Sequence, residues 1–391
     1  MQLSSRITNI TRDGDDGWGV FNKSRKMIAS GVDVLELSIG EHDIRTDPSI
    51  LDAMHASAKA GNTGYAIVPG RIELRREIAA RITERTGVAT TAENIIVTPG
   101  GQSALFAAHL AVTNPGDTAL YFDPYYATYP GTIRAVGAVD VAIPTRTKNA
   151  FQPSAEELAP FGAAATSLLV NSPNNPTGVV YSRETIEVIA DFAKANDLWL
   201  ISDEVYDTQI WEGHHHTPRA LPGMSERTLV VGSMSKSHAM TGSRVGWICG
   251  PAEVIGHLIN LSTCTTYGVP GYIQDAALFA LQQGPALEET VAAPFRRRRA
   301  LAQELLAGQN TVRLIPSSGA MYLMLDIRAT GMTGEAFALA LLEEEKIAVM
   351  PGESFGSAAA GHLRVAMTIE DSRFVQALQR LLDFAAKRIP S

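Results

Sequence analysis

Seven short apolar runs, ending at Thr98, Phe122, Ile143, Val170, Val205, Gly232 and Gly250, set the tightest limit on how this chain can fold. Each has strand length, and most are separated by stretches of helical periodicity such as residues 182–196. Strand alternating with helix gives an α/β sheet domain. In open sheets of this kind ligands collect beyond the carboxyl ends of the strands. The polar residues that follow the runs are therefore the first places to look for chemistry.

The run from Thr228 leads into Ser233-Met-Ser-Lys-Ser-His-Ala-Met-Thr-Gly-Ser-Arg244, which crowds one lysine with hydroxyls, a glycine and an arginine. A lysine amine is a poor nucleophile while charged. Beside an arginine and away from bulk water its neutral form is favoured, and Lys236 could then form a Schiff base. A second run, Leu198 to Tyr206, is read as one strand that brings Asp203, Glu204 and Tyr206 out of apolar surroundings. A buried carboxylate needs a cationic partner, which Asp203 would face; Glu204 is expected to point the other way, to solvent or a structural arginine.

Asn94 to Thr98, then Pro99-Gly-Gly101-Gln102-Ser103, reads as strand, glycine turn and helix, with unpaired amides at the helix start that suit a phosphate. No Gly-x-Gly-x-x-Gly or Walker lysine accompanies it, which argues against a dinucleotide or triphosphate. Asp123-Pro-Tyr125-Tyr126 places two aromatics at a strand end, either of which could stack on a flat ring. Asn171 to Gly178 is a Pro- and Gly-fixed turn carrying the Asn175 amide. Val34 to Gly40 reads as an alternating strand ending at a glycine. Gly361 to Met367 is a short strand in which Arg364, among apolar neighbours, calls for a carboxylate.

At 391 residues, 45% hydrophobic and 19% charged, the chain can bury a deep site. Its net charge of −8 provides no footprint for nucleic acid or an anionic membrane. Two cysteines are too few for a disulfide framework or zinc cluster, and no metal site is expected, His214-His-His216 being read as a surface loop. Met1 to Asp13 lacks a basic stretch leading into an apolar core, and no run of about 18 apolar residues occurs. A cytoplasmic protein, neither exported nor spanning a membrane, is expected. From about residue 285 the pattern changes to a smaller α+β unit, with Arg296 to Arg299 read as opening a helix whose arginines are solvated or ion-paired.

The order Tyr65, Gly101-Gln102, Asn175, Asp203, Tyr206, Ser233, Ser235, Lys236, Arg244, Arg364 resembles the class I/II aminotransferases, pyridoxal-phosphate enzymes of fold type I. Within that family, Ser-Lys-Ser-His-Ala-Met-Thr-Gly-x-Arg-Val-Gly-Trp and Tyr-Gly-x-Pro-x-x-Ile-Gln-Asp-Ala-Ala are most similar to the arginine:pyruvate transaminases. The resemblance implies a seven-stranded, mostly parallel sheet in a large domain, residues 45–284, with a smaller α+β domain at 285–391 joined by the N-terminal segment 1–44. It implies pyridoxal 5'-phosphate on Lys236, with Asp203 at the pyridine nitrogen and Asn175 and Tyr206 at the phenolate oxygen. It places Tyr126 against the ring and Gly101, Gln102, Ser233, Ser235 and Arg244 around the phosphate. Tyr65 would reach the phosphate of a partner subunit in a homodimer. Gly40, Asn175 and Arg364 would bind the substrate, with Arg364 on its α-carboxylate.

Three positions depart from the family pattern: His42 stands for a proline, Ser243 for a tryptophan, and Gln102 for the lysine with which related aspartate aminotransferases grip a distal carboxylate. The last argues against a dicarboxylate specialist. The implied activity is transamination between an L-amino acid, of a basic, arginine-like kind, and a 2-oxo acid such as pyruvate or 2-oxoglutarate. A carbon–sulfur β-lyase on the same fold and an aspartate aminotransferase are the alternatives. A DNA-binding regulator with an aminotransferase-like domain would need a basic module for which the chain has no spare length.

Overall fold

The computed structural model describes residues 1–11 and 17–389. In the N-terminal segment Ser5–Thr8 and Gly19–Ala29 are helical.

The seven expected strands form one sheet. From edge to edge it runs Ile95–Thr98, Gly246–Cys249, Thr228–Ser233, Trp199–Asp203, Ala165–Asn171, Thr118–Asp123 and Val139–Pro144. Only Gly246–Cys249 is antiparallel to its neighbours; the other pairings are parallel. Leu168, Leu200, Ile201, Leu229 and Val231 along the central strands are fully buried, as strands covered on both faces require. A second sheet is antiparallel, in the order Met350–Pro351, His362–Ala366, Tyr322–Asp326, Arg313–Leu314.

Four expectations need correction. The strand at Val34 to Gly40 is only Leu35–Glu36, paired in parallel with Ile347–Ala348. Beyond Leu37 the backbone leaves the pairing and delivers the Ser38 and Gly40 carbonyls to Arg364 and Lys236. The strand at Leu198 to Tyr206 stops at Asp203, because the chain turns back with Asp207 N donating to Glu204 O and Gln209 N to Tyr206 O. Arg296 to Arg299 do not open a helix. They sit inside Pro285–Leu306, which starts where Gly284 adopts a positive φ and Pro285 takes the first helical position.

The fourth concerns Glu204 and the histidines. Glu204 is buried and pairs with no arginine among the described residues; His215 Nε2 lies 2.9 Å from it, and the Thr217 and Ser202 hydroxyls donate to it. The loop histidine His215 is thus drawn inward by a buried carboxylate that needs a partner.

Arg298 ties the N-terminal segment to the C-terminal part. Its guanidinium donates to Asp43 at 2.6 and 3.0 Å, to Asp371 at 2.8 Å and to the Met367 carbonyl at 2.9 Å, with only 4% of the side chain exposed. Removing one partner of a buried ion network strands the others. Arg298→Ala is therefore expected to lower unfolding free energy by about 3 kcal/mol, read by urea denaturation; a loss below about 0.5 kcal/mol, typical of a surface pair, would contradict this role.

Candidate active site

The polar residues beyond the strand ends converge on a cavity of about 360 Å³. The Thr228–Ser233 strand ends in the short helix Met234–Ser237, which turns Lys236 into it. Lys236 Nζ donates to the Gly40 carbonyl at 2.5 Å and has no carboxylate partner among the described residues. Burial pulls its pKa below the usual lysine value, with Arg364 and Arg244 adding to the shift and Tyr322 and Glu41 opposing it. The backbone carbonyl of Lys236 is fixed by the His42 ring at 3.0 Å and by the Gln209 amide at 3.1 Å.

Asp203, at the end of its strand, is 4% exposed. It accepts from Tyr129 Oη at 2.7 Å and from Val205 N at 3.4 Å, and no cation answers it among the described residues. Burial raises its pKa to about 6, against the opposing hydrogen bond from Tyr129. Arg364 is 1% exposed, held between the Tyr322 and Phe355 rings at 4.6 and 4.4 Å. It donates to Asn175 Oδ1 at 3.1 Å and to the Ser38 carbonyl, while its Nε has no partner. Burial lowers its pKa.

At the near end of the cavity the helix Gly100–Val112 presents its first amides. Gly100 has φ +79°, and a Cβ there would lie 2.3 Å from an Arg244 guanidinium nitrogen, so only glycine lets that side chain cross the helix start. Ser233 Oγ accepts from Ser235 N at 3.1 Å, and both serines line the cavity. A Cβ at Gly40 would sit 1.8 Å from the Tyr322 hydroxyl, so Gly40 is set by packing as well as by its carbonyl's contact with Lys236.

The structure thus gathers Gly40, Gly101, Gln102, Tyr126, Asn175, Asp203, Tyr206, Ser233, Ser235, Lys236, Arg244 and Arg364 around one space. Of the two adjacent tyrosines, Tyr126 lines it, and Tyr125 packs edge-on against Tyr121. Tyr65 lies outside it, 92% exposed and edge-on to Tyr267. The Gln102 amide is engaged by the Thr128 and Thr132 hydroxyls.

Sequence reasoning did not single out Tyr322, whose hydroxyl lies 3.0 Å from that of Tyr206, nor Tyr129. Tyr322 sits on an ordinary apolar strand and carries no local signal. Tyr129 had one, three tyrosines within five residues at a strand end. His42 was noted only as a departure from a pattern.

Comparison with known proteins agrees with this geometry. Residues 32–381 match the family described as aminotransferase class I and II. This chain belongs to that family. The aminotransferase is 41% identical to the arginine–pyruvate transaminase AruH of Pseudomonas aeruginosa over 388 residues, 99% of each chain. It is 36% identical to the aspartate/prephenate aminotransferase of Thermus thermophilus, with 92% of each chain covered. Among solved structures, a double mutant of Thermus thermophilus aspartate aminotransferase superposes with a TM-score of 0.92 at 34% identity, covering 98% of this chain and 100% of the other. The aspartate aminotransferase of Thermotoga maritima gives 0.92 at 31% identity, with the same coverage. The fold is therefore that of the fold type I aminotransferases, and the chain is an enzyme of the aminotransferase type.

A carboxyl group whose pKa is raised in the folded state favours folding below its unfolded value and loses that contribution as pH rises through the folded value. In the cofactor-free aminotransferase, Asp203 therefore costs stability increasingly from about pH 4 to about pH 6 and by a constant amount at higher pH. Asp203→Asn is expected to equal wild type near pH 4 and to exceed it by roughly 2–3 kcal/mol at pH 7, by chemical denaturation of the cofactor-free proteins. A gap that does not widen with pH would show that Asp203 has a counter-charge.

Proposed function

We propose that this aminotransferase carries pyridoxal 5'-phosphate on Lys236 and transfers an amino group between an L-amino acid, preferentially a basic one, and a 2-oxo acid such as pyruvate. One observation carries the reading: two buried charges, Asp203 and Arg364, and the half-buried amine of Lys236 line the same cavity, and none of them forms an ion pair among the described residues. The donor set fits the cofactor. A buried carboxylate suits a pyridinium nitrogen, a lysine with lowered pKa suits an aldehyde, and helix amides beside Arg244, Ser233 and Ser235 suit a phosphate.

Bound there, pyridoxal phosphate supplies an electrophilic carbon for amines and a ring that accepts the electrons left when an α-proton departs. Asp203, oriented by Tyr129, would keep the ring nitrogen protonated. Tyr206 and Asn175 would hydrogen-bond the ring oxygen, and Tyr126 would pack on the ring. Arg364 would bind the substrate α-carboxylate through the guanidinium edge that holds its unpartnered Nε, with the Gly40 backbone beside it. Lys236, when free of the cofactor, would take the proton from the substrate Cα as general base and, as general acid, would deliver it to the cofactor carbon rather than back to Cα.

The basic-donor preference is supported by Gln102, which offers no positive charge to a distal carboxylate, by the Glu41 carboxylate lining the cavity, and by likeness to a protein named for arginine and pyruvate. A homodimer with Tyr65 reaching a partner's site is supported by the exposed aromatic pair Tyr65 and Tyr267, which pack edge-on against each other. Residues 45–284 would form the cofactor-binding domain and 285–391, with the first 44 residues, the smaller one.

The test is Lys236→Ala. It is expected to lose at least about 10³-fold in turnover, as removal of a positioned proton-transfer group does, together with the visible absorption of the bound cofactor. Turnover within tenfold of wild type would remove Lys236 from the mechanism.

A further inference from the structure

A second cavity, of about 560 Å³, lies near the Lys236 helix and plays no part in the proposed transamination. It shares Ser233 with the first cavity and is walled by apolar side chains such as Ile78, Val230, Trp247 and Leu281 together with a set of charged ones. Most of those charges answer one another. Arg81 pairs with Glu288, Arg85 with Asp207 at 2.5 Å, and Glu204 with His215 at 2.9 Å.

Arg219 is the exception. It is 3% exposed on the short helix Pro218–Ala220. One terminal nitrogen, Nη1, donates to Thr90 Oγ1 at 3.0 Å; its Nε has no partner, and no carboxylate pairs with it among the described residues. A buried guanidinium without a counter-ion is costly and is retained only with compensation. The orphaned Nε belongs to the side of the guanidinium that a carboxylate can grip with two parallel bonds. Two more buried polar atoms of the cavity wall, Thr208 Oγ1 and His215 Nδ1, also lack partners. Glu204, Asp207 and Glu288 on the same wall are already paired, so none of them is free to answer Arg219.

We propose that this cavity is a second ligand site, in which Arg219 binds the carboxylate of a small monocarboxylate, either an amino acid or an oxo acid. The reading is independent of the cofactor assignment, since Arg219, Thr208 and His215 are given no role in transamination.

The test uses the cofactor-loaded enzyme and two unreactive probes: betaine, a zwitterion with no transferable amino group, and acetate. Calorimetric titration of wild type is expected to show a site that Arg219→Met and Arg219→Lys each weaken at least tenfold and that Arg364→Lys leaves in place. Crystals soaked in betaine should show its carboxylate on Arg219. Betaine tighter than acetate would assign an amino acid as the ligand; equal affinities would assign an oxo acid. Arg219→Met removes an unpaired charge, so its melting temperature should equal or exceed that of the unliganded wild type. Titrations that Arg219→Met leaves unchanged, probe found only at Arg364, or a melting temperature well below wild type would each overturn the proposal.

Discussion

A charge taken out of water needs an opposite charge, and the Lys236 cavity holds two buried charges that form no ion pair among the described residues. Asp203 is 4% exposed and accepts from a tyrosine hydroxyl and one amide, with no cation against it among the described residues. Arg364 is 1% exposed with two neutral oxygens and two aromatic rings around it. Such an arrangement opposes folding by itself. It becomes favourable when a ligand brings a cation to Asp203 and an anion to Arg364. The site is in that sense half of a set of ion pairs, and the proposed cofactor and substrate are the other half.

The fold exists to hold these charges apart and aimed. Asp203 ends one parallel strand, Lys236 follows the next, and the helix at Gly100 faces both from the sheet's edge. Arg364 comes from the other sheet, and Ser38 and Gly40 come from the N-terminal segment that pairs with Ile347–Ala348. The site is therefore assembled from residues as far as 326 positions apart in sequence. The Arg298 network, which binds Asp43 to Asp371, holds the entering segment in place.

Much of this was legible in the sequence because strands covered on both faces are written as short apolar runs, and residues after such runs stand at the ligand edge. The seven strands were placed to within three residues, and every residue expected in the cavity lines it except Tyr65, whose expected place lies across a subunit interface. What the sequence did not show depends on long-range packing. Glu204 and His215 are 11 residues apart, and neither residue signals the other. Tyr322 matters only because two other elements bring Tyr206 and Gly40 to its hydroxyl. The extent of Leu198 to Tyr206 was overestimated because apolar pattern continues past Asp203 where hydrogen bonding has already changed to a turn.

The central claim, that these charges serve a half-reaction in which an amino group is left on the protein-bound cofactor, is tested most directly by adding L-arginine to the cofactor-loaded enzyme without any oxo acid. The expected result is loss of the visible cofactor absorption in step with one equivalent of 2-oxo acid per site, reversed by adding pyruvate. Persistence of the absorption for every amino acid offered, or continuous release of oxo acid and ammonia from a sulfur amino acid, would contradict the account and favour elimination chemistry.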